Sequence, residues 1–169
     1  MTGKARWFWP LVIALLVADC ASKRAVESRL TIGEPKPVVG ETVRFTLSYN
    51  TNAAMGFQLG GDSRRLVLSS LTIAALLVLG VLYHRTRPSD RLRVIGVALV
   101  AGGALGNLLD RLRGSAGVVD FIDVGVANVR FWTFNVADVG ISVGAVLLML
   151  ALGRWGGYGR GLRPSQTSD

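Results

Sequence analysis

"LVLSSLTIAALLVLGVLY", residues 66–83, runs for 18 positions without one ionisable group other than its closing tyrosine. At 1.5 Å per residue a helix of this length nearly crosses a hydrocarbon core of ~30 Å. A helix apolar on every side has no face for water, so it belongs in lipid or deep in a core. Three further tracts, Trp7 to Ala18, Val94 to Leu109 and Val136 to Leu152, are long and apolar enough to join it. Half of the 169 residues are hydrophobic, and together these tracts predict four membrane spans rather than a soluble domain. The first tract is short and lies near the N-terminus, and "LVADC" superficially suggests a cleaved leader. Asp19 stands where such a site wants a small neutral residue and three spans follow, so the first span is expected to be retained.

Charge orients the spans. Lys4 and Arg6 give the N-terminal segment +2; residues 84–93 carry four Arg against Asp90; and the segment after Leu152 has Arg154, Arg160 and Arg163 against Asp169. Residues 110–135, by contrast, balance three Arg against three Asp. Short basic segments stay in the cytoplasm, so both termini are expected inside. The net charge of +8 then reflects this bias and attraction to anionic lipid, and no basic patch interleaved with aromatics suggests nucleic acid. Cys20 is the single cysteine, which excludes an intrachain disulfide, and His84, the single histidine, is read as an interfacial residue.

Outside the spans, Val43, Phe45, Leu47 and Tyr49 alternate with polar residues in "VGETVRFTLSYN" (39–50), which predicts a half-buried strand preceded by the breakers Pro35, Pro37 and Gly40. A second short strand is expected at Val129 to Phe134, with Phe131 and Trp132 at headgroup level; Trp7, Trp9, Tyr83, Trp155 and Tyr158 would form the opposite belt. Gly102 with Gly106 and Gly140 with Gly144 are small-xxx-small pairs that allow spans three and four to pack closely. The expected organisation is one four-span domain over residues 1–152 with an extracytoplasmic segment 19–65, followed by a disordered cytoplasmic tail, 153–169.

With this threading, nearly every unusual polar residue falls on the outer side. Asp19 and Lys23 close the first span, Asn50 ends the strand, Asn107, Asp110 and Arg111 end the third span, Asp120 follows in the connecting loop, and Asn135 and Asp138 open the fourth. Asn107, Asp110 and Arg111 share one helical face, as do Asn135 and Asp138. Taken singly, Asp19 with Lys23 can be a plain ion pair and Asn135 or Asp138 a plain helix cap. Their convergence favours a site. It offers carboxylates, amides and cations but no metal-ligand cluster, so zinc is not expected, while magnesium bound with a lipid phosphate stays open. Two carboxylates brought together share a proton and can activate water while protonating a leaving amine. Asp120 and Asp138, each beside apolar sequence, are the candidates.

At these residues the sequence resembles the lipoprotein signal peptidases (signal peptidase II), bacterial inner-membrane aspartic peptidases. "DCASK" (19–23), "YNTNAAMGF" (49–57), "GGALGNLLDR" (102–111), "VVDFI" (118–122) and "FNVADVGISVG" (134–144) resemble five motifs of that family, in its order. The resemblance implies an all-α membrane fold of four transmembrane helices with a small extracytoplasmic β-sheet and a mobile surface helix. It implies an endopeptidase that cuts signal peptides from prolipoproteins just before a diacylglyceryl-modified cysteine, with Asp120 and Asp138 as catalytic dyad and no cofactor. Asn50, Asn107, Arg111 and Asn135 would position substrate or dyad, and Asp19, Lys23 and Asp110 would support the site. Membrane lipid is an expected partner and a monomer the expected state. Asn52 departs from the glycine usual at its position; Asn tolerates positive φ, so the turn is expected to survive. The rivals are a transporter component relaying protons or cations, a Ser22/Lys23 peptidase disfavoured because adjacent helical residues diverge, and a membrane scaffold.

Overall fold

The computed structural model describes residues 3–50, 61–114, 117–127 and 129–153. Four helices are long and apolar enough to cross a membrane: α1 (Ala5–Glu27), α2 (Gly61–Arg85), α3 (Arg91–Arg113) and α4 (Val136–Gly153). Asn52 and the rest of its motif after Asn50, the aromatic residues Trp155 and Tyr158, and the expected disordered tail beyond Gly153 lie outside the described residues. Among the described residues no surface helix accompanies the four spans.

Both α1 and α3 outrun their apolar tracts. Asp19 and Lys23, expected to close the first span, instead sit within α1, which continues to Glu27. The helix tolerates them because both are fully buried against partners on other elements, which removes the cost of presenting them to lipid. α3 is the central helix, buried along most of its length and flanked by α1, α2 and α4. Phe8 and Val12 of α1 pack on Val94, Val97, Ala98 and Ala101 of α3. α2 touches mainly α3, and Leu71, Leu77, Val78 and Val81 point outward, as lipid-facing residues should.

Close approach of α3 and α4 rests on small residues, including Gly106 and Gly144, one from each of the expected pairs. A β-carbon on Gly96 would stand 3.0 Å from the Gly144 carbonyl oxygen, and one on Gly103 would collide with the carbonyl oxygen of Ala137. Gly102 and Gly140 face Leu15 of α1 instead, so the glycines serve a three-helix junction rather than a single seam.

A four-stranded antiparallel sheet, in the order β1 (Pro35–Val39), β2 (Val43–Asn50), β3 (Val118–Val126), β4 (Val129–Arg130), packs on the end of α1. Val26 and Leu47 meet Val119 and Phe121 in its core. The alternating tract forms β2 as expected. Pro35 and Pro37, read as breakers, lie within β1, where they are tolerated because β1 is an exposed edge strand. Asp120, expected in a loop, lies in β3; "VVDFIDVGV" hides this strand because its start is buried on both faces and shows no alternation. β4 is shorter than expected and ends at Arg130, with Phe134 returning to β3 through a lone bridge to Ile122. Phe131 and Trp132 are exposed, as an interfacial position requires.

Candidate active site

β2 and β3 carry the first two site residues. Asn50 pairs with Val118, so Asp120, two residues on, is its diagonal neighbour on the same face. The Asn50 amide donates to Asp120 Oδ2 at 3.0 Å. Asp120 Oδ1 accepts from Asn135 Nδ2 at 2.6 Å, and the carboxylate is buried.

Asn135 caps α4. Its Oδ1 accepts from the Asp138 N–H at 2.9 Å, and its own N–H donates to Asp138 Oδ2 at 3.2 Å. This is a reciprocal capping box with Asp in place of the commoner Glu, so the plain capping reading of Asp138 is true of its geometry. It does not exhaust the residue. Asp138 is only half-buried, its Oδ1 accepts from Asn107 Nδ2 at 2.8 Å, and its charge bears on Asp120. Asn135 therefore holds both carboxylates, one through its side chain and one through its backbone.

Beneath them lies a buried ionic cluster. Lys23 Nζ is 2.8 Å from Asp19 Oδ2 and 2.8 Å from Asp110 Oδ2, and it donates to Asn107 Oδ1 at 3.0 Å. The ammonium is thus paired with two carboxylates and hydrogen-bonded to one amide oxygen. Asn107 Oδ1 also accepts from Asn135 Nδ2 at 3.1 Å, joining the cluster to the dyad. Asp19 Oδ1 takes the Ala137 N–H at 2.9 Å, satisfying a free donor in the first turn of α4, and Asp110 Oδ2 takes the Val119 N–H at 3.2 Å. Lys23 and its two acids consequently fix α1, α3, β3 and α4 together.

Arg111 stands at the half-buried end of α3, donates to the Asn107 carbonyl at 3.2 Å, and interacts electrostatically with Asp138, Asp110 and Asp120. All nine expected site residues meet at one end of the bundle. Outside the spans, burial is the largest influence on Asp120 and, with the Asp138 charge, pushes its carboxyl up to about 6 against the opposing bonds from Asn50 and Asn135.

Two features were not anticipated. Tyr49 donates to Glu27 Oε1 at 3.2 Å beside a cavity of about 180 Å³ that also reaches Asp110 and Arg113. Glu27 gave no signal because the apolar tract ended nine residues earlier. Asp123 is held by Arg44 at 2.8 Å, Thr46 at 3.1 Å and Arg130 at 2.8 Å. Burial opposes ionisation there, but these donors together hold the carboxyl below its usual range, and the knot clamps β2, β3 and β4. Its partners are far apart in sequence, so spacing could not reveal it.

An apolar bundle that gathers carboxylates and amides at one end, under a small sheet, has the build of a membrane-embedded aspartic peptidase. Among the described residues, the buried polar groups are not strung along a path through the bilayer, as a transporter needs. The family model for signal peptidase (SPase) II matches residues 11–154. Lipoprotein signal peptidases of Klebsiella pneumoniae (strain 342) and Coxiella burnetii are each 38% identical, over 148 and 146 residues that cover 86% and 85% of the chain and 86% and 87% of those proteins. That of Escherichia coli O139:H28 is 36% identical over 86% of the chain and 87% of its own length. A solved structure described as a bacterial membrane enzyme, determined by the in meso method, superposes with a TM-score of 0.75 at 26% identity over 84% of the chain and 89% of that structure. A second of the same description gives 0.79 at 24% identity over 92% of both chains, a likeness of fold. The chain belongs to the signal peptidase II family.

Proposed function

We propose that this protein removes signal peptides from prolipoproteins, as the names of its relatives suggest, and that it cuts before a cysteine that carries a diacylglyceryl group. The observation that carries the reading is the pair Asp120 and Asp138, bridged by Asn135 and supported by Asn50 and Asn107. Asp120, buried and raised to about 6, is the member that holds the proton. Ionised Asp138 takes a proton from water, whose oxygen attacks the scissile carbonyl carbon. Asp120 protonates the carbonyl oxygen, and collapse of the tetrahedral intermediate expels the amine of the lipidated cysteine, which is protonated as it leaves.

An extended substrate brings unsatisfied amides into an apolar setting, and the Asn side chains with Arg111 are suited to meet them. Acyl chains between the helices would fix the cysteine at one depth and so position the scissile bond. The basic end of the bundle, with Lys4, Arg6, Arg85, Arg87 and Arg91, supports termini in the cytoplasm of a bacterial inner membrane and a site near the extracytoplasmic face. The working unit is a monomer of one domain, and membrane lipid surrounds it.

The test is purified protein incubated with a diacylglyceryl-modified prolipoprotein and with its unlipidated precursor. Only the lipidated form should be cut. Equal cleavage of both would remove the lipid requirement from this reading. A reporter fused after Asp169 should be cytoplasmic; a periplasmic signal would reverse the orientation.

A further inference from the structure

The end of the bundle opposite the carboxylates holds a groove that peptide chemistry does not use. α1 and α2 both lie against α3 and meet at one corner, where the Phe8 and Tyr83 ring centroids are 4.2 Å apart. Toward the middle they leave a cavity of about 560 Å³, walled by Phe8, Trp9, Val12, Leu76, Leu79 and Gly80 and floored by Ala101 and Leu105. From Lys4 to Val12 the α1 wall rises about 12 Å.

At its mouth Lys4 Nζ bonds the Tyr83, His84 and Thr86 carbonyls at 2.8, 3.1 and 3.1 Å, which fixes an ammonium at the rim. Arg6 and Arg91 both stand over the Trp7 ring, at 5.9 and 5.7 Å from its centroid, and Arg85 and Arg87 flank the same end. Among the described residues, this end sets Lys4, Arg6, Arg85, Arg87, Arg91 and Arg93 against the single acid Asp90, a surplus of five positive charges.

We propose that this groove is a binding site for one acyl chain of an anionic glycerophospholipid, whose phosphate sits at the Lys4 rim. The shape and the charge agree. The walls are almost entirely apolar side chains, which suits a flexible hydrocarbon chain. The basic start of a signal peptide would be repelled by the rim that attracts a phosphate. The bound lipid wedges α1 from α2 while α3 keeps both aligned with the distant dyad.

Gly80 gives a probe, because it lines the groove and a β-carbon there meets nothing within 4 Å, so Gly80→Leu starts without a backbone clash and occupies groove volume. Val78→Leu, on the exposed side of α2, is the control. Native mass spectrometry of the full chain in detergent with equal phosphatidylglycerol and phosphatidylcholine should show one retained lipid, with about tenfold preference for phosphatidylglycerol. Gly80→Leu should lose it, Val78→Leu keep it, and Lys4→Gln keep a lipid while losing the preference. Equal retention by wild type and Gly80→Leu would overturn the site. Equal retention of the two lipids by wild type would overturn its anionic specificity. Displacement of the lipid by a synthetic signal peptide, or a dimer that Gly80→Leu dissolves, would assign the groove to another occupant and overturn the proposal.

Discussion

Asn135 and Asp138 bond each other twice, side chain to backbone in both directions, at 2.9 and 3.2 Å. The capping box that starts α4 is thereby the clamp that orients one carboxylate, while the Asn135 amide reaches the other at 2.6 Å. Asn135→Ala should therefore cost more than a cap. Loss of the cap alone is worth about 1 kcal/mol. The freed Asp120 should also lower kcat, and a thermal midpoint measured beside kcat separates the two effects; unchanged kcat would refute the clamp.

Asp120→Asn and Asp138→Asn should each reduce cleavage of lipidated substrate by at least about a hundredfold, since each removes one partner in proton transfer. Both variants should stay folded in detergent. Activity that survives in either one, measured by release of the signal peptide, would dissolve the dyad.

The raised Asp120 carboxyl predicts a pH dependence of definite sign. With a folded value of about 6 against ~3.9 in an unfolded chain, the native state keeps a proton that the unfolded state has released. Its contribution to stability is complete below about pH 4 and is lost as pH rises through 6. Thermal midpoints should fall from pH 4 to pH 7 in the wild type and fall less in Asp120→Asn. The alkaline limb of kcat/KM should likewise report the raised Asp120 carboxyl, near 6.

Lys23→Met should destabilise by about 3–5 kcal/mol, because Asp19 and Asp110 would remain buried without their cation. Adding Asp19→Asn and Asp110→Asn to it should restore at least half of the loss, which denaturant titration in detergent can read. No recovery in the triple variant would mean that the ion pairs themselves, rather than the unpaired charge, carry the stability.

Gly103→Ala should separate α3 from α4, since its methyl group would press on the Ala137 carbonyl. An overpacked contact of this kind costs about 1–3 kcal/mol. Because Ala137 adjoins Asp138, kcat should fall with stability, whereas Gly153→Ala, with open space around it, should change neither.

Sequence alone determined the four spans, since continuous apolar tracts of this length have one low-energy home and require no knowledge of neighbours. It also determined β2, through alternation, and the grouping of nine polar residues at one end, through the order of spans and charges. The arrangement within that group was decided by tertiary structure. That Asp19 and Lys23 lie inside α1 depends on Asp110, Asn107 and Ala137 arriving from α3 and α4 to neutralise and bond them. That Asp120 sits on a strand depends on β2 lying beside "VVDFIDVGV", which carries no periodicity of its own. Periodicity reports a residue's exposure to solvent or lipid. A buried charge or a doubly buried strand is stabilised by partners distant in the chain, and only the folded molecule brings them within hydrogen-bonding distance.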